Sequence, residues 1–217
     1  VVDAYVQSTL AEAASLGYDT NKSGLKIYTN MDSNLQQSMY DNANGTAVTF
    51  PSADTQIGAT MTDPSNGNVV AQIGGRNLKT LQGTNHARLK TRSSGSSIKP
   101  LLDYGPAIEY LNWPTYRTVE DKEYKYAGTD KNLSNWDGKF MGNITMRTAL
   151  TQSRNTPAAR TLEDVGGTDA GKFINGIGVP IDHTPGGADA IGITASTEQE
   201  AGAFGAIANG GTYYKPT

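Results

Sequence analysis

With 217 residues, 36% of them hydrophobic and 18% charged, the chain has apolar material for a sizeable core and too little charge for intrinsic disorder. It contains no cysteine, which excludes disulfides, thiolate nucleophiles, iron–sulfur clusters and thiolate zinc sites. The net charge of -3 comes without a basic stripe able to neutralise phosphates, so nucleic acid is not an expected partner, and Arg88, Lys90, Arg92 and Lys99 read as a solvated cluster leading into a turn. No apolar run reaches the roughly 18 residues of a membrane span, so any membrane anchor is expected outside this chain.

Taken in order, Val2, Val6, Leu10 and Ala13/Ala14 recur at helical spacing, predicting an amphipathic helix over 1–16 closed by Gly17. Leu25 to Thr29 alternates and predicts a strand. A helix follows from Asp32 to Asn42 with Leu35 and Met39 inward, then strands at 47–50 and 68–73 separated by the turn Asp63-Pro64-Ser65-Asn66-Gly67. The remainder reads as mainly helical, over 96–111, 144–153, 156–165, 169–175 and 197–209. In the last of these, Thr197 with Glu200 forms a capping-box pattern, and Ala201, Phe204, Ile207 and Ala208 form an inward stripe. Between them, 113–142 is long, aromatic and irregular, the character of an active-site surround, with Trp113 and Trp136 as candidates either for a groove wall or for packing. The expected class is α/β of the α+β type, an antiparallel sheet flanked by helices.

Ser-x-x-Lys occurs twice, as Ser23/Lys26 and Ser96/Lys99. The first runs into a predicted strand, where residues three apart point to opposite faces. The second follows Ser93-Ser94-Gly95 and opens a helix, where residues three apart share a face. A serine hydroxyl is too weak an acid to attack a carbonyl unaided, and a lysine kept neutral by desolvation or a nearby cation supplies the missing base. Taken alone, Ser96 reads more readily as a helix N-cap than as a nucleophile. Ser153-Arg154-Asn155, the one Ser-x-Asn in the chain, falls between two predicted helices; alone it reads as a helix-capping pair, and beside Ser96/Lys99 such a short loop can hold a hydroxyl for proton relay and a carboxamide for a peptide group. The 19–24 segment imitates the start of an EF-hand loop but has Asn30 at the twelfth position, and His86 and His183 have no metal-ligand spacing, so no metal and no cofactor is expected.

Together the two motifs resemble the serine signature of penicillin-binding proteins, and their separation of 57 positions is similar to that superfamily's. Gly24-Leu25-Lys26-Ile27-Tyr28-Thr29, the 67–75 stretch, Gly95 to Pro100 and Ala208 to Pro216 look, in order, like landmarks of class A, bifunctional penicillin-binding proteins. The resemblance implies the serine penicillin-recognising fold, with 1–24 as a linker and first helix and 25–217 as the N-terminal and central part of a transpeptidase domain. It implies Ser96 as nucleophile, Lys99 as its base, Ser153 as proton relay and Asn155 as substrate binder. Peptidoglycan stem peptides ending in D-Ala-D-Ala and β-lactam antibiotics are the implied partners, at the extracytoplasmic face of a bacterial membrane. A D,D-carboxypeptidase and a non-catalytic sensing or scaffold module of the same fold stay open as alternatives. A β-lactamase is disfavoured because no glutamate is placed for deacylation. The family's Lys-Thr-Gly is missing, and neither Lys79-Thr80-Leu81 nor His183 to Gly186 takes its place. The fold is therefore expected to be incomplete in this chain, leaving a sheet edge and a helix face unburied. The remaining C-terminal part of the domain is expected as a partner, either as a separate chain or as residues beyond Thr217.

Overall fold

The computed structural model describes residues 1–79 and 81–217, so the middle residue of Lys79-Thr80-Leu81 lies outside the described residues. The chain forms two compact units, one of Val1–Thr91 with Ser196–Thr217 and one of Arg92–Ala195.

The first unit begins with α1 (Asp3–Ser15), which ends in a left-handed Gly17 at φ 89°. The Gly17 N–H bonds to Ala14 O and the Tyr18 N–H to Ala13 O, the paired closure that glycine permits beyond a helix end. Its buried residues are Ala4, Tyr5 and Ala13, while Val2 and Val6 are exposed. The inward face is therefore rotated from the predicted stripe, because the Tyr5 hydroxyl reaches Val69 O at 2.6 Å. Helix α2 (Ser33–Asn44) is capped by the Asp32 carboxylate, which accepts from Asn34 N and Leu35 N. Here too the inward residue is polar: Gln36 is buried, bonding Gln72 through both backbone groups, and Leu35 is exposed.

Strand β2 (Val69–Ile73) forms as expected, but its antiparallel partner is β1 (Ala59–Thr62), with Ala59 opposite Ile73 and Thr62 opposite Val69. The predicted strands over 25–29 and 47–50 are not strands. Local alternation cannot make a strand without a partner for its backbone groups, and Tyr28 is 91% exposed. The 63–67 turn does join two strands; the first of them lies after residue 58.

In the second unit the predicted helix over 96–111 is present but irregular. A 3-10 turn (Gly95–Ile98) runs into a π turn (Pro100–Tyr104) and then α3 (Gly105–Leu111). Pro100 has no N–H to give the preceding turn, and its carbonyl instead accepts from Gly105 N in the wide spacing of a π turn. The 113–142 stretch is more ordered than expected: β3 (Thr118–Asp121), β4 (Tyr124–Lys125) and β5 (Asn132–Leu133) lie in it, β4 pairing with β5 and β3 with β6 (Gly142–Thr145), all antiparallel. Helices α4 (Met146–Thr151), α5 (Asn155–Val165) and α6 (Gly167–Gly176) follow at the predicted places. The unit's core joins Ile98, Leu101 and Leu102 to Ala158, Ala159 and Leu162 of α5 and Ile174 of α6. Each large aliphatic side chain so buried contributes about 1.5–3 kcal/mol.

The first unit is completed by α7 (Thr197–Ala208), packed on β1. Its capping box is Ser196 with Gln199, one residue ahead of the predicted pair. The predicted stripe is also displaced: Gly202, Ala203 and Ala206 are buried, whereas Phe204 and Ile207 are 38% and 51% exposed. Small residues let the helix approach closely, and a Cβ on Gly202 would stand 2.8 Å from the Pro216 ring. The described strands form three two-stranded antiparallel pairs, with helices packed on the β1–β2 and β3–β6 pairs, in keeping with the expected α+β class.

Candidate active site

The Ser96 turn is fixed at its entrance by the 192–194 segment. Ser94 N donates to Ile193 O at 2.8 Å, Ile193 N donates to the Ser94 hydroxyl at 3.1 Å, and Ser93 bridges to Thr194. Gly95 takes φ 58°, a conformation that lets the chain turn sharply into the 3-10 helix. Ser96 is exposed on that turn, and Lys99 N donates to Ser96 O. In 3-10 geometry residues three apart eclipse one another, which puts both side chains on one edge.

Lys99 is wholly buried, and its ammonium gives all three protons to the loop ahead of α5. Nζ lies 2.9 Å from Ser153 O, 3.2 Å from Ser153 Oγ and 2.8 Å from Asn155 Oδ1. Three of the four residues singled out from the sequence thus meet. The Ser96 hydroxyl, although on the same turn, is not among the acceptors of Lys99. Burial lowers Lys99 to about 8, with the Asp103 carboxyl opposing that shift and the Arg154 cation reinforcing it. With Lys99 buried, the basic cluster read from the sequence loses one of its four members.

The loop itself is strained and heavily tied. Ser153 adopts φ 49°, a left-handed conformation unusual for a side-chain-bearing residue. Arg154 projects into the unit, 1% exposed, with Nε on Asp121 Oδ2 at 2.8 Å, Nη1 on Asp137 Oδ2 at 2.9 Å and Nη2 on Lys139 O. Asn155 donates through Nδ2 to Ser134 O at 2.9 Å. Burial would raise the Asp121 carboxyl, but hydrogen bonds from Thr156, Asn135, Met141 N and Arg154 overcome it and hold the group below its ordinary value. Asp103 is the opposite case. It is fully buried, neither oxygen has a hydrogen-bond partner, and desolvation pushes it well above the carboxylate range. The adjoining Tyr104 hydroxyl is likewise driven up by burial and stays un-ionised.

Asp103, Asp121, Asn135, Asp137 and Arg154 were not singled out by the motifs. One signal was available: in the alternating run Thr118-Val119-Glu120-Asp121, the last residue shares the inward face of Val119, and an acid on a core face requires buried partners. The 113–142 stretch, read as a surround, does supply Asn135, Asp137 and Lys139 to the loop. Trp136, 71% exposed, donates from Nε1 to Gln152 O at 3.1 Å and so borders it, while Trp113 stacks under the Arg117 guanidinium at 4.8 Å. His183 is exposed between Asp182 and Asp189, and His86 meets Gly74 O.

A serine–lysine turn packed under a short interhelical loop, in an α+β unit with antiparallel strand pairs, is the arrangement of the penicillin-recognising fold. The model of the penicillin binding protein transpeptidase domain matches residues 57–217, and the chain belongs to that family of serine acyltransferases. It is 38% identical over 99% of its length to penicillin-binding protein 1A of Streptococcus pneumoniae, covering 32% of that protein, and 39% identical over 91% to penicillin-binding protein 1A/1B of Bacillus subtilis, covering 22%. The chain thus spans about a third or less of the length of these relatives, in agreement with the resemblance to class A proteins. The penicillin-binding protein PonA1 of Mycobacterium tuberculosis superposes with TM-score 0.79 at 20% identity, over 98% of this chain and 58% of that one. Its complex with penicillin V gives 0.78. No described helix is long and apolar enough to cross a membrane.

Proposed function

We propose that this chain carries the nucleophile and its base for a D,D-transpeptidase that cross-links peptidoglycan stem peptides and is acylated by β-lactams. The observation that supports this most directly is Lys99, buried, lowered to about 8, and hydrogen-bonded to both Ser153 and Asn155. A lysine in that range is neutral often enough near pH 8 to take a proton from a hydroxyl. On losing one proton, the one held toward Ser153 Oγ, its most distant partner at 3.2 Å, it gains the lone pair that takes the Ser96 proton.

Ser96 Oγ attacks the carbonyl of the penultimate D-Ala, and its proton passes to Lys99 Nζ. As the tetrahedral intermediate collapses, the C–N bond breaks and Ser153 relays a proton to the departing nitrogen of the terminal D-Ala. The amine of a neighbouring stem then attacks the Ser96 ester and loses its proton to the same base, which returns it to Ser96 Oγ as the ester C–O bond breaks, leaving a cross-linked peptide and free serine. Asn155 holds the donor strand's peptide group. A β-lactam follows the first half of this course. Residues 25–217 act as the N-terminal and central part of the domain, facing the extracytoplasmic side of a bacterial membrane, with the anchor elsewhere in the protein.

The test is covalent labelling of the full-length protein by a fluorescent penicillin, with the adduct located by mass spectrometry. Labelling lost in Ser96→Ala, with the far-UV circular dichroism of that variant unchanged, supports the reading. An adduct on any other serine overturns it. Products formed from a stem pentapeptide with and without an acceptor amine separate transpeptidation from carboxypeptidation.

A further inference from the structure

Resting on that reading of Lys99, we infer that Arg154, Asp121 and Asn135 are positioning residues. They clamp the 153–155 loop from behind so that Ser153 and Asn155 stay on Lys99, without touching substrate themselves. Arg154 is the middle residue of Ser153-Arg154-Asn155. Its neighbours on both sides bond Lys99 while its own side chain enters the protein and ends on Asp121, Asp137 and Lys139 O.

Asn135 completes the clamp by an unusual route. The cap residue of α5 is Arg154, whose side chain gives no capping bond. The free amides of the first turn are taken instead by Asn135 Oδ1, from Asn155 N at 2.7 Å and Thr156 N at 3.3 Å. Asn135 Nδ2 in turn donates to Asp121 Oδ1 at 2.6 Å, and Asp121 also accepts from Thr156 Oγ1 at 2.8 Å and Met141 N at 3.0 Å. One carboxylate therefore holds the arginine, the capping amide and the start of α5 together.

Stability alone is a poor account of this cluster, because a buried ion pair can often be replaced by well-packed apolar side chains of similar volume without loss. Direction is what apolar packing would not supply. Ser153 sits in a left-handed conformation that persists only when its surroundings over-determine it, and the bonds on Arg154 and Asn155 do so. The cluster also acts on the base electrically, since the Arg154 cation favours loss of the Lys99 proton. The charged groups concerned are Asp103 and Arg154 about Lys99, Asp121 and Asp137 about Arg154, and Lys99 and Asp189 about Asp103.

The experiment is the rate of acylation by a fluorescent penicillin across pH 6–10, on the full-length protein, in three forms. In wild type the rate rises through about 8 as Lys99 loses its proton. Arg154→Lys keeps the charge and loses the fork, so the limiting rate falls on the order of a hundredfold while the midpoint stays. The double variant Asp121→Asn with Arg154→Gln strands no lone buried charge; its limiting rate falls similarly and its midpoint moves to higher pH, because the opposing cation is gone. Folding of each is checked by circular dichroism. Folded variants with wild-type rate and midpoint overturn the inference, as does a rate loss that only follows the unfolded fraction. If instead the wild-type adduct is not on Ser96, or Lys99→Ala acylates normally, the reading beneath it fails first.

Discussion

Two carboxylates within the same unit, Asp121 on β3 and Asp103 in the π turn, are both completely buried, and they are shifted in opposite directions. Asp121 receives four hydrogen bonds, one from a guanidinium, and remains ionised below its ordinary value. Asp103 receives none, and desolvation pushes it well above the carboxylate range. Burial by itself therefore does not set charge; the partners that the fold delivers to the group do. Lys99 is lowered to about 8 chiefly by its own burial, with Asp103 opposing that shift and Arg154, the partner of Asp121, adding to it.

The comparison is broken most severely at Lys99 itself. Lys99→Ala should slow penicillin acylation about a hundred- to ten-thousandfold, the usual contribution of a general base, while leaving the adduct on Ser96; stopped-flow labelling measures it. Next, Asp121→Ala leaves the Arg154 guanidinium buried and partly uncompensated, and should cost about 3–5 kcal/mol in urea unfolding. Asp103→Leu, at the equally buried but unpartnered acid, should fall within about 1 kcal/mol of wild type or above it, since no bond is lost with the oxygens. Equal losses for the two would refute the distinction.

The subtlest test is the sign of the pH dependence. Asp103 has its folded value raised above 3.8, so its contribution is complete below the unfolded value and is lost as pH rises through the folded one. Asp103→Asn should thus gain on wild type as pH increases above the ordinary carboxylate range. Asp121 is lowered, so its contribution is present above 3.8 and is lost as pH falls through the folded value; Asp121→Asn should approach wild type in acid. Thermal melts of the full-length protein at a series of pH values would show the two curves diverging in opposite directions.

Much of this arrangement was legible beforehand. Gly17 marked the end of α1, Asp63 to Gly67 marked the hairpin turn, and the helices holding the loop fell where their periodicity placed them. Ser-x-x-Lys and Ser-x-Asn named three residues that meet, Lys99, Ser153 and Asn155, whereas the Ser96 hydroxyl does not bond Lys99. The inward faces were less legible. Tyr5 and Gln36 turned inward ahead of Val6 and Leu35, since each finds a backbone group of β2 to bond. Alternation over 25–29 did not make a strand, because a strand also needs a partner edge.

The amino-acid order by itself thus determined the spacing of the hydroxyls, the amine and the carboxamide, and the turns that present them. Only the tertiary structure decided which way burial shifts each carboxylate. A side chain's ionisation depends on donors and acceptors that arrive from distant parts of the chain, as Asn135, Met141 and Arg154 do at Asp121 and as nothing does at Asp103. Spacing is a local property, whereas solvation is settled by everything packed around a group.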